Sequence, residues 1–258
     1  MGRLIALIAL PLLLVAEVAQ ASFSRADLDR LALDIWRVRA AFHTLTVMQG
    51  APEYVDLLDN MIADTEEVLD LLEDSVESDS EEQFISDVRE LWDGYRELAM
   101  SNTVAEMGYT DRYTIEDMES GALKLYRLIN GVRTDTSGRA EDLADLAVLL
   151  QRLTSEYMFL SASADGGGAI GTGAEEGRVD FIKEVPAFDR KLQSVRNAWK
   201  DDPAISRELR SVNAKWNFIR ESLLKFYENS VPFLMHRYSE QMVDSLTRAA
   251  ASVQVVSE

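Results

Sequence analysis

Apolar residues recur along most of the chain at alternating steps of three and four, the spacing of one face of an α-helix. The clearest early example follows Ser24 and ends before Gly50 and Pro52. Its apolar positions are Leu28, Leu31, Ile35, Val38, Phe42 and Leu45. Ser24, followed by the acidic Asp27, indicates a helix N-cap. Because alternating apolar and polar stretches are nearly absent, the pattern predicts an all-α protein.

A second segment with the same apolar spacing begins 115 residues later. Its positions are Leu143, Leu146, Leu150, Leu153, Tyr157 and Leu160. Three further residues recur at the same offset, namely Asp27 as Asp142, Ala32 as Ala147 and Arg37 as Arg152. Any two amphipathic helices share such spacing, so these segments alone do not establish a repeat.

Later segments make the repeat more specific. The motif V-x3-W-x2-[YI]-R-E occurs at Val88–Glu97 and again at Val212–Glu221, 124 residues later. Arg112-Tyr113-Thr114 likewise corresponds to Arg237-Tyr238-Ser239. The offset grows because the second copy has a longer first loop, which contains the glycine-rich stretch Ala164–Gly173. We therefore interpret the chain as an internal duplication.

Each copy divides into about four predicted helices. Those of the first copy are Ser24–Met48, Pro52–Leu72, Glu81–Met107 and Thr110–Val132. Those of the second copy are Ala140–Ala162, Val179–Lys200, Ala204–Ser230 and Pro232–Val253. Short connections favour antiparallel neighbours. The predicted fold class is therefore all-α, with two tandem antiparallel four-helix-bundle units; one merged bundle of longer helices is the alternative.

The N-terminal residues indicate export. Arg3 precedes the apolar run Leu4–Val15, and Ala19-Gln20-Ala21 has the small-x-small pattern of a signal-peptidase site. We predict a signal peptide over residues 1–21, a first helical unit over 22–136 and a second over 137–258, in a periplasmic protein. The apolar run is too short to span a bilayer as a helix, which predicts no stable membrane insertion after cleavage. An uncleaved N-terminal anchor is the alternative.

Composition narrows the chemistry. A net charge of −19 repels nucleic acid, so no nucleic-acid partner is expected. The absence of cysteine excludes disulfides, thiol nucleophiles and thiolate metal sites. The two histidines, His43 and His236, form no H-E-x-x-H or Glu-x-x-His pair, and no G-x-S-x-G or calcium-loop motif is present. We therefore predict no enzyme activity, metal or cofactor, and a surface or capping role for His43.

Two pairs of side chains are singled out by the repeat. Arg37 and Arg152 occupy equivalent positions beside the apolar face of the first helix of each copy. An arginine placed there can bind a small anion through its planar fork, or form a salt bridge to a carboxylate of a neighbouring helix. Trp92 and Trp216 are also equivalent, and we predict that they are structural core anchors.

The segment Gln151–Met158, with sequence QRLTSEYM, resembles the Q-R-M-L-S-Q-R-M signature that opens the PilJ-type sensor domain. That domain is the periplasmic N-terminal region of type IV pilus methyl-accepting chemotaxis transducers and is related to nitrate/nitrite sensor input domains. Val231–Ser239 is similar to the segment that closes such units, and Trp216–Arg220 resembles the region between them. The chain departs from the signature at Tyr157, which replaces the second arginine, while the first copy keeps only Arg37.

The resemblance implies a non-catalytic sensing module that binds a small, anionic ligand or an envelope partner protein. It also implies that ligand chemistry at the first signature arginine carries over to Arg152, and by the repeat to Arg37. The regular apolar faces of the predicted helices suggest a different function. The alternative is a structural or scaffolding protein of the envelope whose bundles self-associate into a homo-oligomer.

Overall fold

The computed structural model describes residues 23–133, 139–163, 178–228 and 230–257. Within these ranges the protein is built from helices and has no strand, which confirms the predicted all-α bundle. The predicted signal peptide, the glycine-rich stretch Ala164–Gly173 and the break between units at Thr134–Gly138 lie outside the described residues. We call residues 23–133 the first half and residues 139–257 the second half.

The helices of the described ranges follow the predicted order. The first half contains α1 (Arg25–Val47), α2 (Pro52–Asp74), α3 (Asp79–Met100), α4 (Val104–Met107) and α5 (Arg112–Val132). The second half contains α6 (Arg139–Ala162), α7 (Phe181–Ala198), α8 (Pro203–Leu224) and α9 (Pro232–Ser257). The N-cap prediction for α1 is confirmed, because the Ser24 side chain accepts a hydrogen bond from the Asp27 amide at 3.1 Å.

Two predicted helices are too long. The third breaks after Met100, where the Asn102 side chain accepts a hydrogen bond from the Val104 amide and donates one to the Phe42 carbonyl. Such local side-chain bonds compete with helix continuation. The following single turn, α4, ends at Gly108, whose φ of 78° is left-handed. The seventh predicted helix extends to Ser230, whereas α8 ends at Leu224.

Each half closes a ring of four long helices. In the first half α1 packs on α2, α2 on α3, α3 on α5, and α5 on α1. In the second half α6, α7, α8 and α9 pair in the same cyclic order. Arg89 pairs with Glu73 and Arg96 with Glu66, which shows that α2 and α3 run antiparallel. Asn213 bonds to Arg196 and Arg220 to Asp189, which shows the same for α7 and α8. The two halves thus share their helix order and pairing, while their origin by duplication stays a prediction.

The halves meet through α1 and α6, the most extensive helix pair in the described structure. These two helices run parallel and nearly in register. Arg25 contacts Asp145 near their N-terminal ends, Arg39 contacts Ser155 further along, and the His43 ring lies 5.3 Å from the Phe159 ring near their C-terminal ends. One continuous hydrophobic core extends across both halves around this pair.

Candidate functional site

Arg152 extends from α6 toward the first half. Its guanidinium carbon lies 5.6 Å from the ring centroid of Trp36 on α1 and 5.1 Å from that of Tyr126 on α5. Its Nη1 lies 3.8 Å from Oε2 of Glu184 on α7, an ion pair longer than a hydrogen bond. Aromatic faces attract and orient a cation without neutralising its charge. The guanidinium is therefore positioned at the border of the two halves by contacts with α1, α5 and α7.

A cleft of about 340 Å³ contains Arg152, and we call it the basic cleft. Its charged lining residues are Arg25, Arg133, Arg152, Lys191 and the single carboxylate Asp145. The chain as a whole carries a net charge of −19, so four cations around one concavity depart from the general character of its surface. The lining residues are therefore net positive, although their cations also pair with Asp29, Asp142 and Glu184, which do not line the cleft. Cations that converge in a concave site attract anions.

Two antiparallel helices form the long walls of the basic cleft. From α5 come Tyr126 and Asn130, four residues apart on one helix face, and Arg133 follows at the C-terminal end of that helix. From α6 come Asp145 and Arg152. Tyr126 lies beside Arg152 at the upper end, and Arg133 lies beside Asp145 at the lower end. The cleft is thus built jointly by the two halves.

The lower end of the basic cleft is centred on Asp145. Its Oδ1 accepts hydrogen bonds from Arg25 at 2.9 Å and from Arg133 at 2.8 Å, and its Oδ2 accepts one from Lys191 at 3.2 Å. We call these three cations the lower cluster. Arg25 and Arg133 also bind Asp29, and Lys191 lies 3.4 Å from Asp142.

Arg37 lies in a different environment from its sequence equivalent. Its guanidinium lies 3.5 Å from Asp34 on its own helix and 3.5 Å from Glu240 on α9. Arg37 therefore faces α9, whereas Arg152 faces α5, and the structure does not bring the two predicted ligand-binding arginines together. Burial raises the pKa of the Asp34 carboxyl to about 6, although Arg37 and Arg30 oppose the shift.

A buried charge network between the halves was not predicted from the sequence. Arg39 on α1 is fully buried and binds Glu119 on α5, Ser155 at 2.9 Å and Glu156 at 3.2 Å on α6. Arg178 donates a 2.6 Å hydrogen bond to Glu156. Glu156 belongs to the signature-like segment, which is the one sequence signal that pointed to this place. Its partner Arg39 lies 117 residues away, so the local apolar spacing did not predict that Arg39 is buried.

The prediction of a surface or capping role for His43 is wrong. Its ring is fully buried, edge-on to Phe42 and Phe159. Burial lowers the pKa of His43 well below its ordinary value, and the neighbouring Arg39 charge lowers it further. The imidazole is therefore neutral, and neither ring nitrogen has a hydrogen-bond partner among the described residues. His43 therefore belongs to the buried core between α1 and α6 and does not cap a helix.

Trp92 and Trp216 are both buried and make matching contacts in the two halves. The Trp92 indole donates a 2.7 Å hydrogen bond to Glu66 on α2, which also pairs with Arg96 at 3.3 Å. The Trp216 indole donates a 2.6 Å bond to Asp189 on α7, which also pairs with Arg220 at 2.9 Å. Each tryptophan motif therefore fixes the third helix of its half to the second.

Other kinds of site find no support in the part of the chain that the structure describes. No group of three or more acidic or histidine side chains there is arranged to hold a metal ion. None of the described helices combines the length and the apolar character needed to cross a membrane.

Comparison of the chain with protein-family models, with curated proteins and with solved structures gives no match. The resemblance to the PilJ-type sensor domain therefore stays a prediction from the residues that carry it.

Proposed function

We propose that this protein is a non-catalytic periplasmic sensing or binding module of the PilJ type. It binds a small, anionic ligand in the basic cleft and acts through an envelope partner protein. The observation that carries the proposal is the placement of Arg152, which lies against two aromatic rings in a cleft with three further cations. In a chain of net charge −19, such a cleft is where an anion is attracted rather than repelled.

The position of the basic cleft also supports a sensing role. Its walls come from both halves, so a bound anion contacts α5 of the first half together with α6 and α7 of the second. A ligand that binds one arrangement of two packed units better than another shifts their equilibrium. Such a shift is how a module without catalytic residues passes a signal to a partner.

Thermal unfolding of the purified protein with a panel of small anions tests the proposal. A bound anion raises the midpoint temperature because it stabilises only the folded state. We expect at least one anion to raise the midpoint in the wild type and to lose this effect in Arg152→Gln. Arg37→Gln is the matched control, because it removes an equivalent charge from the side that faces α9.

The comparison of the two variants decides the result. Loss of the anion effect in Arg152→Gln alone supports the basic cleft as the binding site. An equal loss in both variants would indicate a nonspecific effect of net charge. No Arg152-dependent shift with any anion would refute ligand binding at this site.

A second surface supports the partner-binding part of the proposal. Most of the exposed large apolar side chains lie near the end of the molecule that contains the α3–α5 and α8–α9 connections, which we call the apex. They are Met100, Met107, Tyr109, Tyr113, Ile182, Phe218, Tyr227 and Phe233. Tyr113 on α5 and Tyr227 between α8 and α9 are 77% and 76% exposed. Exposed apolar patches of this kind are typical of protein-binding surfaces.

The same apex favours the alternative function, a scaffold that self-associates. Light scattering distinguishes the two at increasing protein concentration. A monomer throughout rules out the scaffold and leaves the apex for a partner of the envelope. Assembly that is abolished by Tyr113→Ser with Tyr227→Ser, and is indifferent to anions, would favour the scaffold.

A further inference from the structure

A second cavity, of about 420 Å³, opens at the apex of the second half, and we call it the apical cavity. The C-terminal end of α6, the N-terminal end of α7 and the start of the α8–α9 connection surround it. Its apolar lining residues are Leu160, Val179, Phe181, Leu223, Leu224 and Phe226. Ile182 and Tyr227, which are 71% and 76% exposed, form its rim. The basic cleft has other lining residues, so the proposed function leaves this cavity without a role.

The corresponding place in the first half is occupied by the α3–α5 connection. This connection carries α4, whose Val104 is 4% exposed and belongs to the hydrophobic core. Asn102 of the same connection donates a hydrogen bond to the Phe42 carbonyl of α1 at 3.0 Å. In the second half, the described residues that follow α8 form a turn and contribute Phe226 and Tyr227 to the cavity. The helix arrangement that the halves share therefore does not by itself require the cavity.

Every charged side chain that lines the apical cavity pairs with an opposite charge. The two carboxylate oxygens of Glu156 accept hydrogen bonds from Arg178 at 2.6 Å and from Arg39 at 3.2 Å. Asp180 pairs with Lys183 at 3.1 Å. A charged ligand would have to leave water for a site whose charges are already compensated, and burial of an unpaired charge is unfavourable. The cavity therefore favours an uncharged ligand.

Three aromatic rings, those of Phe181, Phe226 and Tyr227, supply much of the apolar lining. The Phe226 ring centroid lies 4.9 Å from that of Tyr157 and 5.3 Å from that of Tyr227, and both pairs meet edge-on. Ring pairs in edge-on or offset geometry are stabilised beyond the apolar area that they bury. An aromatic ligand extends this set of contacts, whereas a saturated ligand of the same size gains only from the buried area.

We infer that the apical cavity binds a small, uncharged aromatic molecule, which contacts the rings of Phe181, Phe226 and Tyr227. The cavity volume falls in the range of roughly 300 to 1,000 Å³ that is typical of small-molecule sites with apolar walls. This inference goes beyond the proposed function, since it needs no anion at Arg152. Because Ile182 and Tyr227 also belong to the apex, the bound molecule lies beside the surface proposed for the partner.

Fluorescence titration with N-phenyl-1-naphthylamine, an uncharged aromatic probe whose emission rises in apolar surroundings, tests the inference. We expect saturable binding at a single site. In competition, 2-naphthol should displace the probe at about tenfold lower concentration than 2-naphthoate or 2-naphthylmethylammonium, because each charged analogue loses its hydration. Decahydro-2-naphthol has the same carbon skeleton without aromatic rings, and we expect it to need about threefold more than 2-naphthol.

Two variants locate the binding site, each with a matched control. Leu224→Arg places a charge in the cavity wall and should weaken probe binding about tenfold. Its control is Met100→Arg, because Met100 ends α3 as Leu224 ends α8, and the 124-residue offset of the tryptophan motifs relates the two positions. Tyr227→Ala removes a ring from the exposed rim and should weaken binding about threefold without disturbing the core. Tyr113→Ala is its control, since Tyr113 is 77% exposed and lies outside the cavity.

Unfolding midpoints without probe show whether each variant is folded. Weaker binding in Leu224→Arg and Tyr227→Ala, with both controls like the wild type, supports the apical cavity as the site. Equal losses in Leu224→Arg and Met100→Arg would refute it, because the probe would then adsorb to the exposed apex as a whole. A charged or saturated analogue that competes as strongly as 2-naphthol would refute the ligand class. Absence of saturable binding would refute a small-molecule site here, whatever the anion panel shows for the basic cleft.

Discussion

Arg37 and Arg152 occupy equivalent positions on α1 and α6, the two helices that join the halves, but they lie in opposite surroundings. Arg152 lies against the paired rings of Trp36 and Tyr126, with the Glu184 carboxylate at 3.8 Å. Arg37 lies between two carboxylates, each 3.5 Å away. Arg152 therefore lies against aromatic rings in a cleft, while Arg37 lies against carboxylates on the opposite side of the α1–α6 pair.

This difference shows how two similar helices acquire different chemistry. The helical register of both arginines is the same, so their backbones do not distinguish them. What differs is the side chain that each one contacts. Arg37 contacts the carboxylate Glu240 on α9, and Arg152 contacts the ring of Tyr126 on α5. A ring attracts a cation through its quadrupole, whereas a carboxylate pairs with it as a full opposite charge.

Both surroundings exist only while α1 and α6 stay packed, and Arg39 is the charge at their centre. Arg39→Met leaves Glu119 and Glu156 in the interior with one cation fewer. We expect the free energy of unfolding to fall by about 3 to 5 kcal/mol. Urea unfolding measures it, with Arg96→Met as control, because Arg96 is 39% exposed. Equal, small losses in both variants would show that the buried network contributes little to joining the halves.

The Arg37 side is expected to be sensitive to pH through Asp34. Its folded pKa is about 6, above the unfolded value near 3.8, so the folded protein takes up the proton first. The Asp34 contribution to stability therefore increases as pH falls through 6, by roughly 1 to 1.5 kcal/mol between pH 7 and pH 5. Urea unfolding at pH 7 and pH 5 measures this change. Between the two pH values, the free energy of unfolding of the wild type should rise relative to that of Asp34→Asn by this amount.

The control for this pH experiment is Asp59→Asn, which removes the same formal charge from an exposed position on α2. A pH slope in Asp34→Asn that matches the slope of Asp59→Asn would contradict the assignment. The burial of Asp34 would then have no measurable consequence for the folded state.

The smallest expected effect is on stability when each arginine is replaced by lysine, and it differs because their partners differ. Arg152→Lys loses the planar contact with two rings and should destabilise the protein by roughly 0.5 to 1 kcal/mol. Arg37→Lys keeps a charge beside Asp34 and Glu240 and should cost less than about 0.5 kcal/mol. Chemical denaturation of both variants under one buffer condition measures the difference. Reversal of this order would mean that the rings contribute less than the ion pairs.

Most of the fold was predictable from the chain because its signals are local. Apolar spacing identified the long helices, and Ser24 with Asp27 identified the start of α1. The predicted helix ends failed where a distant contact intervenes. Asn102, for example, donates to the Phe42 carbonyl on α1, 60 residues away, and the third helix stops before it. His43 was misjudged for the same reason, since its burial depends on Phe159 of α6.

The sequence by itself determined the helical class, because that depends on periodicity. It also predicted, from a repeated pattern, that the tryptophan motifs correspond and that Arg37 corresponds to Arg152. Only the tertiary structure decided that Arg152 enters a cleft with Arg25, Arg133 and Lys191. Residues 25 and 145 meet across 120 positions of the chain, so their contact depends on how the halves pack. The charge of a side chain is local, but whether it is neutralised depends on neighbours that only the folded chain supplies.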